Sequence, residues 1–145
     1  MVFCFYKHHT SFNMKQRIED YIKSLKNKYD SVKIVECNSK RQNLKGIPDI
    51  LHGLYETVLE VELPFGRIFA VDIALEQSKN KPFSPDWFVF GRDNYFSFWL
   101  CSYFPDKEGL SFTYWDHESG NEIDGAVWPD LESFLQDLED EYINN

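Results

Sequence analysis

The sequence predicts an α+β domain: a mostly antiparallel sheet of about five to six strands, flanked by an N-terminal and a C-terminal helix. Apolar residues recur at helical spacing near both ends, and several strand-like runs separated by short turns lie between them. Consecutive strands joined by short turns pair antiparallel, and the helices must then cover a face of that sheet. The 145 residues, 43% hydrophobic and 27% charged, suit a single globular domain over 1–145.

The first predicted helix spans 14–29, where apolar residues recur at helical spacing. Asn13 precedes it and can cap a free N–H of the first turn with its side-chain oxygen. Lysines and arginines fill the remaining positions and predict a basic outer face. A short strand over 32–37 and a polar, basic loop over 38–46 follow, so residues 1–45 are expected to form a basic helix-strand-loop segment.

Pro48 suits the first turn of a second, short helix, because its missing N–H leaves nothing unpaired there. The apolar stripe of this helix runs to Val58. The segments that follow are predicted to be strands over 59–63 and 67–73, joined by the turn Pro64-Phe65-Gly66, and then a polar loop with two prolines over 77–85.

The aromatic run 95–104 is the strongest strand signal in the chain. Both of its faces are largely apolar, so we expect a central strand that is covered on both sides. The sequence Gly91-Arg92-Asp93-Asn94 is predicted to form the turn that leads into it from the apolar run 87–90. A further strand over 111–116 is expected to end in a tight turn at 117–121.

The final predicted helix begins at Pro129 or Asp130 and carries an acidic outer face. That face consists of Glu132, Asp137, Glu139, Asp140 and Glu141. The four tryptophans are Trp87, Trp99, Trp115 and Trp128. At least two of them are expected in the core, and lining a ligand pocket is the alternative use of the set.

Basic and acidic residues are concentrated in different parts of this chain. Residues 1–45 hold ten Lys/Arg against four Asp/Glu, whereas residues 46–145 hold five against twenty, so +6 and −15 sum to the net charge of −9. A surface with so much negative charge repels nucleic acid and anionic membranes, and it attracts basic partners. The pattern therefore predicts an acidic, aromatic-rich recognition surface, with a merely solubilising surface as the alternative.

Catalytic and metal-binding motifs are sparse. Asp116-His117-Glu118 is the one candidate for a general base or metal site, but neighbouring residues on a strand point to opposite faces, and a hairpin turn explains them as well. Cys101 lies in the aromatic run and is expected to be a small buried hydrophobe. Phosphate-binding glycine loops are absent. We therefore expect no enzyme activity, no cofactor and no metal.

The three cysteines are too few and too scattered for a disulfide framework or a zinc ribbon. Their odd number suits a reducing compartment, and the N-terminal apolar run 2–6 is too short for a signal peptide or a membrane span. The sequence thus predicts a soluble, cytoplasmic protein. Lys40, Arg41 and Lys45 could contact phosphates, and Arg92 an anion, but a nearby acidic body opposes nucleic-acid binding.

Several segments resemble the SUKH superfamily, which includes bacterial immunity proteins and a fungal cell-wall synthesis regulator. The resemblance covers about residues 46–142. It is carried by five pieces in order: Ile47-Pro48 with Leu51 and Tyr55, Trp87-Phe88 leading into Phe90-Gly91-Arg92-Asp93, the run 95–104, Tyr114-Trp115-Asp116-His117-Glu118, and Leu131-Glu132-Ser133-Phe134-Leu135. Glu56-Thr57-Val58 stands where many members have Asn-Gly, and 32–46 intervenes where the first helix usually leads directly into the Ile-Pro segment.

The resemblance implies a mixed α+β fold without a catalytic centre. For bacterial members it implies neutralisation of a secreted polymorphic toxin, often a nuclease, by direct binding. Nuclease toxins are often basic, so an acidic binder suits such a partner. An adaptor of the cell-wall-regulator type, without a toxin partner, is the alternative.

The candidate partner-binding residues are acidic side chains expected in turns or on the outer face of the last helix. They are Glu56, Asp93, Asp106, Glu118, Asp124, Asp137 and Asp140. The partner expected from them is a basic protein toxin, with no nucleic acid and no membrane.

Overall fold

The computed structural model describes residues 2–37 and 42–145, with side chains from Lys15 onward. The helices are α1 (Val2–Lys28), α2 (His52–Thr57), α3 (Val71–Ser78) and α4 (Leu131–Asn144). The strands are β1 (Lys33–Glu36), β2 (Val58–Leu63), β3 (Gly66–Ile68), β4 (Trp87–Asp93), β5 (Phe98–Ser102) and β6 (Phe112–Trp115). Single 3₁₀ turns span Asp49–Leu51 and His117–Ser119.

The strands form one six-stranded sheet in the order β1-β2-β3-β4-β5-β6, and every neighbouring pair is antiparallel. α1 and α4 flank this sheet. The predicted α+β class, with a mostly antiparallel sheet between N-terminal and C-terminal helices, is therefore confirmed. The basic loop residues Lys40 and Arg41 lie outside the described residues.

One face of the sheet, here called the helix face, packs against α4 and α1. Phe134 of α4 contacts Trp99 and Phe112 of the sheet, with ring centroids 5.9 and 6.1 Å apart. The Trp99 ring lies across Gly91, where an added Cβ would come within 2.4 Å of the Arg67 carbonyl oxygen and 2.6 Å of the indole. Gly91 is thus needed for close packing inside β4.

The opposite face, here called the outer face, is only partly covered. Ser78 at the end of α3 accepts a hydrogen bond from the Val89 N–H at 2.7 Å, which seats α3 over β4. Phe83 packs edge-on against Phe98 and Trp115, with centroids 5.6 and 5.2 Å away. Toward β1, β2 and β3 the outer face is more exposed, as the exposed side chains of Val35, Glu60 and Arg67 show.

Two predicted boundaries before the middle of the chain are wrong. α1 begins at Val2, so Asn13 lies inside the helix and is not its cap. The predicted strand over 67–73 ends at Ile68, because α3 begins at Val71 and buries Ala74 and Ser78 at helical spacing.

The predicted turn over 91–94 is also displaced. Gly91, Arg92 and Asp93 belong to β4, and the turn follows at 94–97. The aromatic run therefore supplies a shorter strand than expected, and its ends are exposed rather than central.

Burial corrects two further predictions. Glu139 was expected on the outer face of the last helix, but it is buried against α1, where Tyr21, Tyr29 and Lys28 donate hydrogen bonds to its carboxylate at 3.1, 2.9 and 2.9 Å. Trp99 alone among the four tryptophans is fully buried. The start of α4 agrees with prediction, since Asp130 accepts a hydrogen bond from the Ser133 N–H at 2.7 Å.

Candidate partner-binding surface

Three turns meet at one end of the sheet. Gly66 pairs with Asp93, and Phe98 pairs with Trp115. The β2–β3 turn, the β4–β5 turn and the 3₁₀ turn after β6 must therefore lie side by side. The Asn94 side-chain amide donates to the Pro64 carbonyl at 2.9 Å and ties the first two together.

The β4–β5 turn presents two aromatic side chains to solvent. Tyr95 is 82% exposed and Phe96 is 65% exposed. Asp93 fixes the turn by accepting hydrogen bonds from the Tyr95 and Ser97 N–H groups, both at 2.8 Å. Phe96 has φ +73°, a left-handed conformation that costs a side-chain-bearing residue about 1–2 kcal/mol. The fold thus holds the two exposed aromatic residues on a turn with a fixed backbone, which is strained at Phe96.

The last turn of α4 extends this apolar region. Tyr142 packs against Phe65 of the β2–β3 turn, with centroids 6.1 Å apart, and remains 46% exposed. Ile143 beside it is 54% exposed. We define the turn-end surface as the apolar residues Tyr95, Phe96, Tyr142 and Ile143 with the acidic residues Asp116, Glu118 and Glu141. Exposed aromatic side chains are enriched in protein-binding faces, and charged side chains belong to the polar rim of such faces.

Asp116-His117-Glu118 forms a capped turn at this end. The Asp116 carboxylate accepts a hydrogen bond from the Glu118 N–H at 3.0 Å, and it lies 3.2 Å from the His117 Nδ1. The aspartate and histidine therefore do converge, which the strand-alternation argument did not anticipate. Both are well exposed, and within the described part of the chain no third side chain hydrogen-bonds to the His117 ring.

The acidic residues predicted as partner-binding are spread over the molecule. Asp93 and Glu118 lie at the turn end, where Asp93 caps the β4–β5 turn. Asp140 lies on an exposed turn of α4. Asp106 lies at the opposite end of the sheet, where it accepts hydrogen bonds from the Glu108 and Leu110 N–H groups at 2.9 Å.

The remaining three have different surroundings. Glu56 forms an ion pair with Lys15 at 3.1 Å. Asp137 accepts a hydrogen bond from the Trp128 indole N–H at 2.6 Å. Asp124 is exposed in the loop before α4. The seven residues do not form one continuous surface.

The fold brings the basic and acidic parts of the chain together. Besides Lys15 with Glu56, α1 contributes an ion pair from Arg17 to Glu132 at 2.9 Å and one from Lys28 to Glu139 at 2.9 Å. α1 therefore neutralises carboxylates on α2 and α4. Among the described residues, no α1 cation lies within ion-pair distance of Asp116, Glu118 or Glu141.

Other reactive groups offer little chemistry. The Cys101 thiol is fully buried, and burial raises its pKa well above the ordinary value, so the thiolate is disfavoured. Among the side chains that the structure describes, those of residues 15–37 and 42–145, no group of three or more His, Cys, Asp or Glu is placed to hold a metal. No helix in the described ranges combines the length and apolar character that crossing a bilayer requires.

Sequence reasoning missed the aromatic pair at the turn because it placed Tyr95 and Phe96 inside a covered strand. The available signal was Asp93-Asn94 directly before them, a pair typical of capped turns. Comparison with known proteins adds no relative: no family model, curated protein or solved structure matches this chain.

Proposed function

We propose that this chain is a non-catalytic immunity protein that binds a basic protein toxin through the turn-end surface and so blocks its action. The observation that carries the proposal is the exposed aromatic pair Tyr95 and Phe96, held on a turn whose backbone Asp93 fixes. A turn that is already fixed loses little backbone entropy on binding, and aromatic side chains dominate the affinity of many interfaces.

Charge supports a basic partner. The chain carries a net charge of −9; Asp116 and Glu118 lie in the turn after β6, at the same end of the sheet as the aromatic pair, and Glu141 lies in the last turn of α4. Opposite charge on the two partners would raise the association rate from about 10⁵–10⁶ toward 10⁸ M⁻¹s⁻¹ at low salt. A nuclease is one toxin class that fits, because its phosphate-binding surface must be basic. The toxin as partner is supported by the SUKH resemblance.

The test is to mix the purified chain with the product of the neighbouring toxin-like gene, and to measure complex formation and toxin activity at several ionic strengths. We expect a complex that inhibits the toxin and an association rate that falls as salt rises. If no complex forms at any ionic strength, the proposal is wrong. A complex that leaves activity intact would favour the adaptor alternative.

Matched variants test the surface itself. Tyr95→Ala removes an exposed aromatic from the turn end, whereas Phe104→Ala removes one that is 81% exposed beyond the opposite end of β5. We expect Tyr95→Ala to weaken the complex by at least about tenfold and Phe104→Ala to leave it unchanged. Equal effects of the two substitutions would contradict the assignment of the turn-end surface.

The carboxylates can be tested in the same way. Glu118→Lys places a positive charge on the turn-end surface, and Glu108→Lys places one in the exposed β5–β6 loop at the other end. The first should slow association at low salt more than the second, with the difference shrinking as salt increases. Identical rates for the two variants would remove the electrostatic part of the proposal.

A further inference from the structure

A row of side chains crosses the outer face of the sheet, with one residue from each strand in register. The row is Lys33, Glu62, Arg67, Arg92, Phe98 and Trp115. The members on β1 to β4 are charged, and those on β5 and β6 are aromatic. The row therefore changes from charged to aromatic side chains between Arg92 on β4 and Phe98 on β5.

Charge is not balanced along this row. Glu62 forms ion pairs with two cations. Its carboxylate lies 4.0 Å from the Lys33 Nζ and also contacts the Arg67 guanidinium. Arg92 pairs directly opposite Arg67. Like charges that face each other across strands destabilise a sheet. Among the described residues, no carboxylate lies within ion-pair distance of Arg92, and no acceptor bonds to it.

A cleft of about 310 Å³ opens over this part of the sheet, between the strands and α3. Its charged lining is Glu60, Glu62, Arg67 and Arg92, and its apolar lining includes Phe69, Ile73 and Phe98. Ile73 is 48% exposed, although it lies on the side of α3 that borders the cleft. The volume is at the lower end of the range for small-molecule sites.

We propose that this cleft binds the carboxylate of a small amphipathic monoanion. The Arg92 guanidinium, half-buried and without an acceptor among the described residues, would form the paired hydrogen bonds that a planar carboxylate accepts. The apolar body of the ligand would lie against Ile73 and Phe98. A bound carboxylate would also relieve the repulsion between Arg92 and Arg67.

The two glutamates that line the cleft determine which ligand charge the cleft prefers. Glu60 and Glu62 repel anions, and the repulsion is greater for a dianion than for a monoanion. A carboxylate is therefore preferred over a phosphate monoester. This inference uses neither the turn-end surface nor a protein partner, and it stands apart from the proposed function.

The first experiment titrates phenylacetate into the isotope-labelled chain and follows backbone amide resonances by NMR. We expect saturable shifts at residues around the cleft, with a dissociation constant on the order of millimolar for so small a ligand. Phenylacetamide, which has the same shape without the charge, should cause no saturable shifts. Phenyl phosphate should bind more weakly than phenylacetate.

Variants of Arg92 give the decisive comparison. Arg92→Gln should weaken phenylacetate binding by about tenfold or more, and Arg92→Lys should recover only part of the affinity because it lacks the planar fork. Lys107→Gln, the same charge change in an exposed loop, should bind like the parent chain. The amide spectrum of each variant shows directly whether it is folded.

Peptides can show whether the carboxylate that binds the cleft belongs to a peptide C-terminus or to a free small acid. A short peptide ending in a free phenylalanine carboxylate and its amidated form distinguish a peptide C-terminus from a free small acid. Absence of saturable shifts with phenylacetate, equal binding of the neutral amide, tighter binding of phenyl phosphate, or equal losses in Arg92→Gln and Lys107→Gln would each overturn the proposal.

Discussion

The Tyr29 hydroxyl on α1 donates a hydrogen bond to the Glu139 carboxylate on α4 at 2.9 Å, joining residues 110 positions apart. Tyr21 and Lys28 donate to the same carboxylate. Burial alone would raise the pKa of Glu139, but these three donors outweigh it and hold the pKa below its usual value. Docking of the first helix on the last thus includes one ionised carboxylate that receives three hydrogen bonds, besides the ion pair of Arg17 with Glu132.

This arrangement predicts acid-dependent loss of stability. A carboxyl whose pKa is lower in the folded chain stabilises the fold above its unfolded pKa of about 4.3. That stabilisation is lost as pH falls through the folded pKa. Chemical denaturation of the parent chain and of Glu139→Gln should therefore show a stability difference at pH 7 that narrows below about pH 4. A difference that does not change with pH would contradict this role of Glu139.

Removing a donor to Glu139 should also weaken the fold. Tyr21→Phe deletes one partly buried hydroxyl and should lower the free energy of unfolding by about 1 kcal/mol. Tyr95→Phe deletes an exposed hydroxyl and should change it by less than about 0.5 kcal/mol. Urea titration of both variants tests the comparison, and equal values would show that the hydrogen bond from Tyr21 to Glu139 adds nothing to stability.

The contact between Gly91 and Trp99 predicts a severe substitution. The methyl group of Gly91→Ala would meet the Arg67 carbonyl and the Trp99 ring inside normal contact distance, so β3, β4 and the indole would have to move. We expect a loss of about 3 kcal/mol or more, or a chain that does not fold. Gly125→Ala is the control, because its Cβ meets nothing within 4 Å.

In the absence of a ligand, Arg92 should lower the free energy of unfolding of the chain. Arg92→Gln removes the charge facing Arg67 and should raise the free energy of unfolding by about 0.2–1 kcal/mol. Lys107→Gln should leave it nearly unchanged. A clear loss of stability in Arg92→Gln would show that the guanidinium has a structural role, so this measurement also checks the interpretation of the cleft.

Phe96, like Arg92, is expected to favour binding while lowering the free energy of unfolding of the free chain. Asparagine tolerates a positive φ better than phenylalanine, so Phe96→Asn should stabilise the chain by about 0.5–1 kcal/mol. The same substitution should weaken the proposed partner complex, because it removes an exposed aromatic side chain. Thermal unfolding and a binding titration on one preparation measure both effects. A destabilised variant would indicate that Phe96 packs usefully in the free protein.

The sequence was sufficient to predict the fold class, and the reasons are visible in particular segments. The Asp130 cap and the stripe of α4 are local signals, and the turn Pro64-Phe65-Gly66 is marked by its own residues. α3 was missed because Arg67 to Ile73 looks like one apolar run, and neither proline nor glycine marks the change at Ala70.

The candidate sites were harder to predict because they depend on strand register. Gly91 was interpreted as a turn residue, whereas it is required by the ring of Trp99, which a linear pattern does not show. The β4–β5 pairing also shifts between Val89 and Gly91, and a one-residue shift exchanges the two faces of a strand. Only the register brings Arg92 opposite Arg67 and leaves Tyr95 outside the sheet.

The order of the strands has a consequence for synthesis on the ribosome. Each strand pairs with the next one in the chain, so the sheet can assemble from neighbours as they emerge. The carboxylate that secures α1 is translated only near the end, on α4. A nascent chain halted before Leu131 is therefore expected to hold a largely paired sheet, with its first helix in contact with α2 but still without its partners on α4.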